Sequence, residues 1–124
     1  MKIVGITLKN AGQAFHEVKE AFDAAKNRKP FKPYSGVAFT SLEAVRNFLT
    51  PKRLELIHVI RGKRPESVYA LAKLTHRSAT SVLRDVEILT RHGLVKTSQE
   101  KRAGRRVTHP VVEYDSIRLN IPVI

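Results

Sequence analysis

The sequence predicts an α+β fold in which short helices are followed by a β-hairpin, and three observations predict it. Between about residues 41 and 92, apolar side chains recur every three or four positions, the period of an amphipathic helix. Toward both ends of the chain they alternate instead, the period of a strand with one buried face. Prolines, glycines and Ser/Thr capping positions fall between these stretches and divide them. A chain of 124 residues with 42% hydrophobic content suits one core with an accessory element. The expected organisation is an N-terminal strand and helix over residues 1–40, followed by a helical and hairpin domain over residues 41–124.

Residues 1–8, MKIVGITL, set Ile3, Gly5 and Thr7 against Val4, Ile6 and Leu8, which reads as a strand. From Gly12 to Lys29, Phe15, Val18, Phe22 and Ala25 share one helical stripe opposite Glu17, Lys19, Glu20 and Asp23. The prolines and basic residues of Asn27 to Gly36 cannot continue that helix and form a connector. After a short strand at Val37 to Phe39, the Thr and Glu of Thr40-Ser41-Leu42-Glu43 match a capping box, which starts a helix running to about Leu49.

Thr50 caps the next helix, and Pro51 fits its first turn, where a missing N–H costs nothing. Leu54, Ile57 and Ile60 or Val59 form the expected buried stripe, and Gly62 the expected stop. Ser67 caps Val68 to Leu74, with Val68, Leu71 and Ala72 facing inward. Thr75-His76-Arg77 makes a tight turn, and Ser78 caps a third helix that runs to about His92 and stops at Gly93. Beyond it, LVKTS and VTHPVVEY read as strands flanking a basic loop, QEKRAGRR, with Gly104 supplying the turn. Ile117 to Val123 reads as an edge strand, where Pro122 is tolerated.

Lys and Arg total 23 against 11 Asp and Glu, a net charge of +12, which makes a phosphate polyanion the first partner to consider. The absence of cysteine excludes disulfides, thiolate catalysis and Cys-based zinc fingers. The five histidines show no HExxH or paired spacing, so no metal is expected. No paired carboxylates, phosphate loop or nucleophile–base spacing appears, so neither an enzyme nor a cofactor is expected. The start MKIVGITLKN lacks the shape of a secretion signal and no apolar run could span a bilayer, so a cytoplasmic, nucleoid-associated protein without a membrane partner is expected.

The run SVYALAKLTHRSATSVLRDVEILTRHGLV, residues 67–95, with the hairpin after it, resembles the winged helix-turn-helix of MarR-like and ArsR-like transcriptional regulators. Packing logic agrees with that likeness: Ala72 permits close helix approach, and Val82, Val86 and Leu89 bury one face of the third helix. The opposite face offers Arg77, Ser78, Thr80, Ser81 and Arg84 to a major groove. Arg84 suits guanine O6 and N7 or a phosphate, and Arg77, at the turn, suits a phosphate. Asp85 reads as a structural partner between helices. Lys101, Arg102, Arg105 and Arg106 surround Gly104 at the tip of the expected wing, suited to phosphate or a minor groove. In the family's geometry, some of Arg46, Lys52, Arg53, Arg61, Lys63 and Arg64 would clamp the DNA backbone.

The resemblance implies a sequence-specific, homodimeric regulator of duplex DNA that represses its own operon. More narrowly, Thr50 to Arg53 and Asp85 to Val95 are similar to the T-P-x-R and DV-x-x-L-x-x-x-GLV runs of small predicted prokaryotic regulators, some of which accompany toxins. That likeness implies an alternative role as an antitoxin whose N-terminal region contacts a cognate toxin. An architectural or RNA-binding module without sequence readout is a further alternative that would use the same charge. ArsR-like metal sensors generally use cysteine, which this chain lacks.

Overall fold

The structure, a computed structural model, describes residues 1–9 and 36–123. The helix expected at Gly12 to Lys29 and most of the basic connector lie outside the described residues. Two compact units form: one joins Met1–Ile3 to Leu49–Ser116, the other Val4–Phe48 to Ile117–Ile124. Leu49 opens the longer run of the larger unit, and Ile117–Ile124 group with the N-terminal segment.

In that N-terminal unit, β1 (Ile3–Leu8) pairs in parallel with β2 (Gly36–Phe39), Gly5 opposite Gly36 and Leu8 opposite Phe39. β5 (Ser116–Asn120) lies on the other side of β1, giving the order β2-β1-β5. The expected edge strand thus stops at Asn120, before Pro122. Helix α1 (Leu42–Phe48) is capped by Ser41, whose Oγ accepts from the Ala44 N–H at 3.0 Å. The cap is Ser41 and not Thr40, because the helix begins one residue later than the capping-box pattern assigns. Val45 and Phe48 are buried, and the Phe48 ring lies 5.1 Å from that of Phe39.

The larger unit is built on helices α2 (Pro51–Lys63), α3 (Val68–Thr75) and α4 (Ala79–Arg91). Each is capped where the sequence places a cap: Thr50, Ser67 and Ser78 accept from the N–H groups of Arg53, Ala70 and Ser81. α3 buries Val68, Leu71 and Ala72, and α4 buries Val82, Val86 and Leu89, as their spacing requires. α2 differs: Leu56, Ile57 and Ile60 are inside, while Leu54 is 42% exposed. Leu54, Leu56, Ile57, Val59 and Ile60 encircle much of the helix, so periodicity does not single out the buried stripe; packing on α3 and α4 selects it.

Helix ends follow backbone chemistry more than glycine content. α2 runs past Gly62 and ends at Arg64, left-handed at φ 48°, whose N–H donates to the Ile60 carbonyl; Pro65 prevents continuation. α3 ends on His76 at φ 57°, with the Arg77 N–H reaching back to the Ala72 carbonyl. α4 closes with the paired bonds of a Schellman motif, Gly93 to Thr90 and Leu94 to Leu89, with Leu89 and Leu94 both buried.

The hairpin is longer and tighter than the sequence indicates. β3 (Lys96–Arg102) and β4 (Arg105–Val111) pair antiparallel from Lys96 opposite Val111 to Arg102 opposite Arg105. The eight residues expected as loop reduce to Ala103 and Gly104, at φ 51° and 78°, a two-residue turn of the type whose twist matches the strands. Charged residues at successive positions concealed the strand period there. At the base, Tyr114 donates its hydroxyl to the Leu94 carbonyl at 2.8 Å. No helix among the described residues is long and apolar enough to cross a membrane.

Two substitutions test this account. A Cβ at Gly62 meets nothing within 4 Å, so Gly62→Ala should stabilise the chain by about 0.5–1 kcal/mol in urea unfolding. Burial pushes the Tyr114 hydroxyl up from 10.0 to about 12, so the fold favours the protonated phenol. The resulting stability is complete below the unfolded value and is lost as pH rises from 10 through about 12. Tyr114→Phe should cost about 1 kcal/mol at neutral pH and flatten that alkaline loss, measured by denaturation at a series of pH values.

Candidate nucleic-acid interface

With Val82, Val86 and Leu89 turned inward, α4 presents its other side to solvent, and Ser78, Thr80 and Arg84 are exposed there. The Ser78 hydroxyl already accepts from the Ser81 N–H, so its first task is the cap. Thr80 and Arg84 lie one helical turn apart with open side chains. Leu83, between them, is exposed as well.

Arg77 and Ser81 are placed differently. Arg77 runs along the first turns of α4, its Nη2 donating to Ser81 Oγ and to Asp85 Oδ2, each at 2.7 Å. Asp85 Oδ1 in turn accepts from Arg53 Nε of α2 at 3.1 Å. The side chains of Arg53, Arg77 and Asp85 are 17%, 15% and 13% exposed. Arg77 and Ser81 therefore belong to an ionic clasp that ties α2, the α3–α4 turn and α4 together, which corrects their expected place on the free face. The cause is spacing: Ser81 and Asp85 stand four and eight residues beyond Arg77, on one side of the helix within its reach. The structural role anticipated for Asp85 is the one it has.

Burial alone would raise the Asp85 carboxyl, but hydrogen bonds and charge from Arg77 and Arg53 outweigh it and hold the group below its ordinary 3.8. An aspartate flanked by two cations in a partly dry site stays ionised at neutral pH.

At the hairpin tip, Lys101 stands opposite Arg106 and Arg102 opposite Arg105. Lys101, Arg105 and Arg106 are exposed. Like charges directly opposite across a ladder repel, so the Lys101–Arg106 pairing costs the hairpin some stability. Arg105 and Arg106 also line a groove of about 530 Å³ together with Thr80 and Leu83 of α4 and Tyr69 of α3. The groove brings part of both predicted clusters to one concave surface, whereas Arg84 and Lys101 are not among its lining residues.

Tyr69 was not singled out from sequence. It is 62% exposed, with Lys73 Nζ 4.7 Å from its ring centroid. Its signal was present: an aromatic off the Val68, Leu71, Ala72 stripe must face outward. Among the described residues, no group of three His, Cys, Asp or Glu is placed to hold a metal ion.

The family model HVO_A0114 matches residues 48–119, more than half of the chain, and the chain belongs to this uncharacterised family. No curated protein matches the sequence. The matched segment spans α2, α3, α4, the hairpin and most of β5, and so contains the clasp, the groove and the basic tip.

The clasp makes the native chain acid-sensitive. Because the folded-state pKa of Asp85 is depressed, its contribution is present above the unfolded value of 3.8 and is lost as pH falls through the lower folded value. Asp85→Asn should cost about 2 kcal/mol at pH 7, less than the ~3–5 of a fully buried pair because each partner retains some solvent. Its deficit relative to the native chain should shrink below pH 4 in acid titrations followed by circular dichroism.

Proposed function

We propose that the HVO_A0114-family chain is a winged helix-turn-helix protein that binds duplex DNA sequence-specifically, as a homodimeric transcription regulator. The observation that carries this reading is the shared groove, where Thr80 and Leu83 of α4 meet Arg105 and Arg106 of the hairpin on a chain of net charge +12. In this reading α4 enters the major groove by its N-terminal half, and Thr80 and Arg84 face base edges. Arg105 and Arg106, with Lys101, lie against phosphates or an adjacent minor groove. The repulsion within the tip then favours binding, since a polyanion relieves it. Arg77 acts through α4, holding Ser81 and Asp85, and not on DNA. A second copy supplies the other half-site, because one helix covers only half of a two-fold operator.

Binding of the protein to its own upstream DNA and to a random duplex, measured by fluorescence anisotropy across salt, tests this. The upstream DNA should bind more tightly, and Arg84→Ala should remove about 1–3 kcal/mol of that preference. Replacing Arg105 and Arg106 by Ala should weaken both duplexes and reduce the slope of log K against log salt by about 0.9 for each phosphate that is no longer neutralised. Arg77→Ala should weaken binding with the slope unchanged. Equal affinity for the two duplexes at every salt concentration would overturn sequence-specific readout, and no binding to either would overturn the reading altogether.

A further inference from the structure

A second cavity, of about 400 Å³, opens within the larger unit between the end of α2 and the base of β4, and its floor is apolar, with Ile60 and Pro110 fully buried. Its rim carries Lys2, Arg61, Arg64 and His109, against one carboxylate, Glu113. The acids nearby are already engaged. Asp115 accepts from Arg61 and from the Lys2 backbone N–H, and Glu113 pairs with Lys96 at 2.9 Å. This leaves Arg64 without a salt bridge to a carboxylate among the described residues, while the Lys2 ammonium is near enough to help lower the Glu113 carboxyl but forms no salt bridge with it. The half negative charge of a helix C-terminus does not account for them, since Arg61, Lys63 and Arg64 together exceed it.

Arg64 is the informative residue. It ends α2 in a left-handed conformation, φ 48°, ψ 58°, a position that usually falls to glycine or asparagine, and it lines the cavity. The strained residue here brings a guanidinium, whose planar fork suits two phosphate oxygens, to a cavity that also holds an ammonium.

We propose that this cavity binds a small phosphate monoester, its phosphate between Arg64 and Lys2 and its organic part over Ile60 and Pro110. The site stands apart from the DNA reading, although β4 lines both this cavity, through His109 to Val111, and the groove, through Arg105 to Thr108. A ligand here would therefore act on the strand that carries the basic tip.

The test uses the full chain, with phenyl phosphate and inorganic phosphate as probes at ionic strength matched with chloride, followed by amide NMR shifts and melting temperature. Saturable shifts at residues 60–64 and 109–113 are expected, with phenyl phosphate binding more tightly than inorganic phosphate. Arg64→Gly removes the charge and relieves the backbone strain, so it should melt no lower than the native chain yet bind phenyl phosphate at least tenfold more weakly. Lys2→Gln, which keeps the backbone bond to Asp115, should also weaken binding severalfold. Native affinity in Arg64→Gly, effects matched by chloride alone, or shifts confined to residues 80–84 and 105–108 would overturn the proposal. So would a fall of about one in the DNA salt slope of Arg64→Gly, which would make Arg64 a contact to duplex phosphate instead. A chain that binds phenyl phosphate but no DNA would retain this site and lose the regulator reading.

Discussion

Burial of one face of α4 is the constraint on which the larger unit depends. Val82, Val86 and Leu89 are almost completely removed from water, as are Leu71 and Ala72 of α3 and Leu56, Ile57 and Ile60 of α2. Burying a side chain of this size is worth about 1.5–3 kcal/mol, so no other rotation of α4 about its axis competes. Once that rotation is set, Thr80, Leu83 and Arg84 have nowhere to point but outward. The Schellman closure at Gly93 then adds Leu94 to the same core and directs the chain into the hairpin.

The Arg53–Asp85–Arg77 clasp supplies what apolar packing does not. Hydrophobic contact is non-directional, and it tolerates small slides of one helix on another. A carboxylate that accepts from α2 and from the α3–α4 turn specifies one relative position, and its partial burial makes departures costly. The outward face of α4 is therefore held in one position, while Lys101, Arg105 and Arg106 of the hairpin tip beyond it are exposed.

Much of this was legible in the sequence wherever the cause is local. Thr50, Ser67 and Ser78 could be read as caps because a short hydroxyl side chain reaches N–H groups two or three residues on, whatever the rest of the chain does. The buried stripes of α3 and α4 were legible because each has one apolar face only. The stripe of α2 was not, since apolar residues surround that helix, and the face left out, with Leu54, is set by its neighbours. The end of α2 was misplaced at Gly62 because glycine signals a stop only if the chain leaves the helix there, and Pro65 delays the exit to Arg64. At the hairpin, consecutive charges concealed the alternation, and pairing extended to a two-residue turn.

By itself, then, the sequence determined the order of helices and hairpin, the inward faces of α3 and α4 and the concentration of positive charge at the hairpin tip, because these follow from neighbours within a few residues. Only the tertiary structure decided that Arg77 turns in to Asp85 while Arg84 stays exposed, that Tyr69 and Leu83 share a groove with Arg105 and Arg106, and that β5 lies beside β1. Each of these joins residues far apart in sequence or chooses among partners within reach of one flexible side chain. Such choices are made by the competition for burial and for counter-ions across the folded chain, and they leave no periodic trace in the sequence.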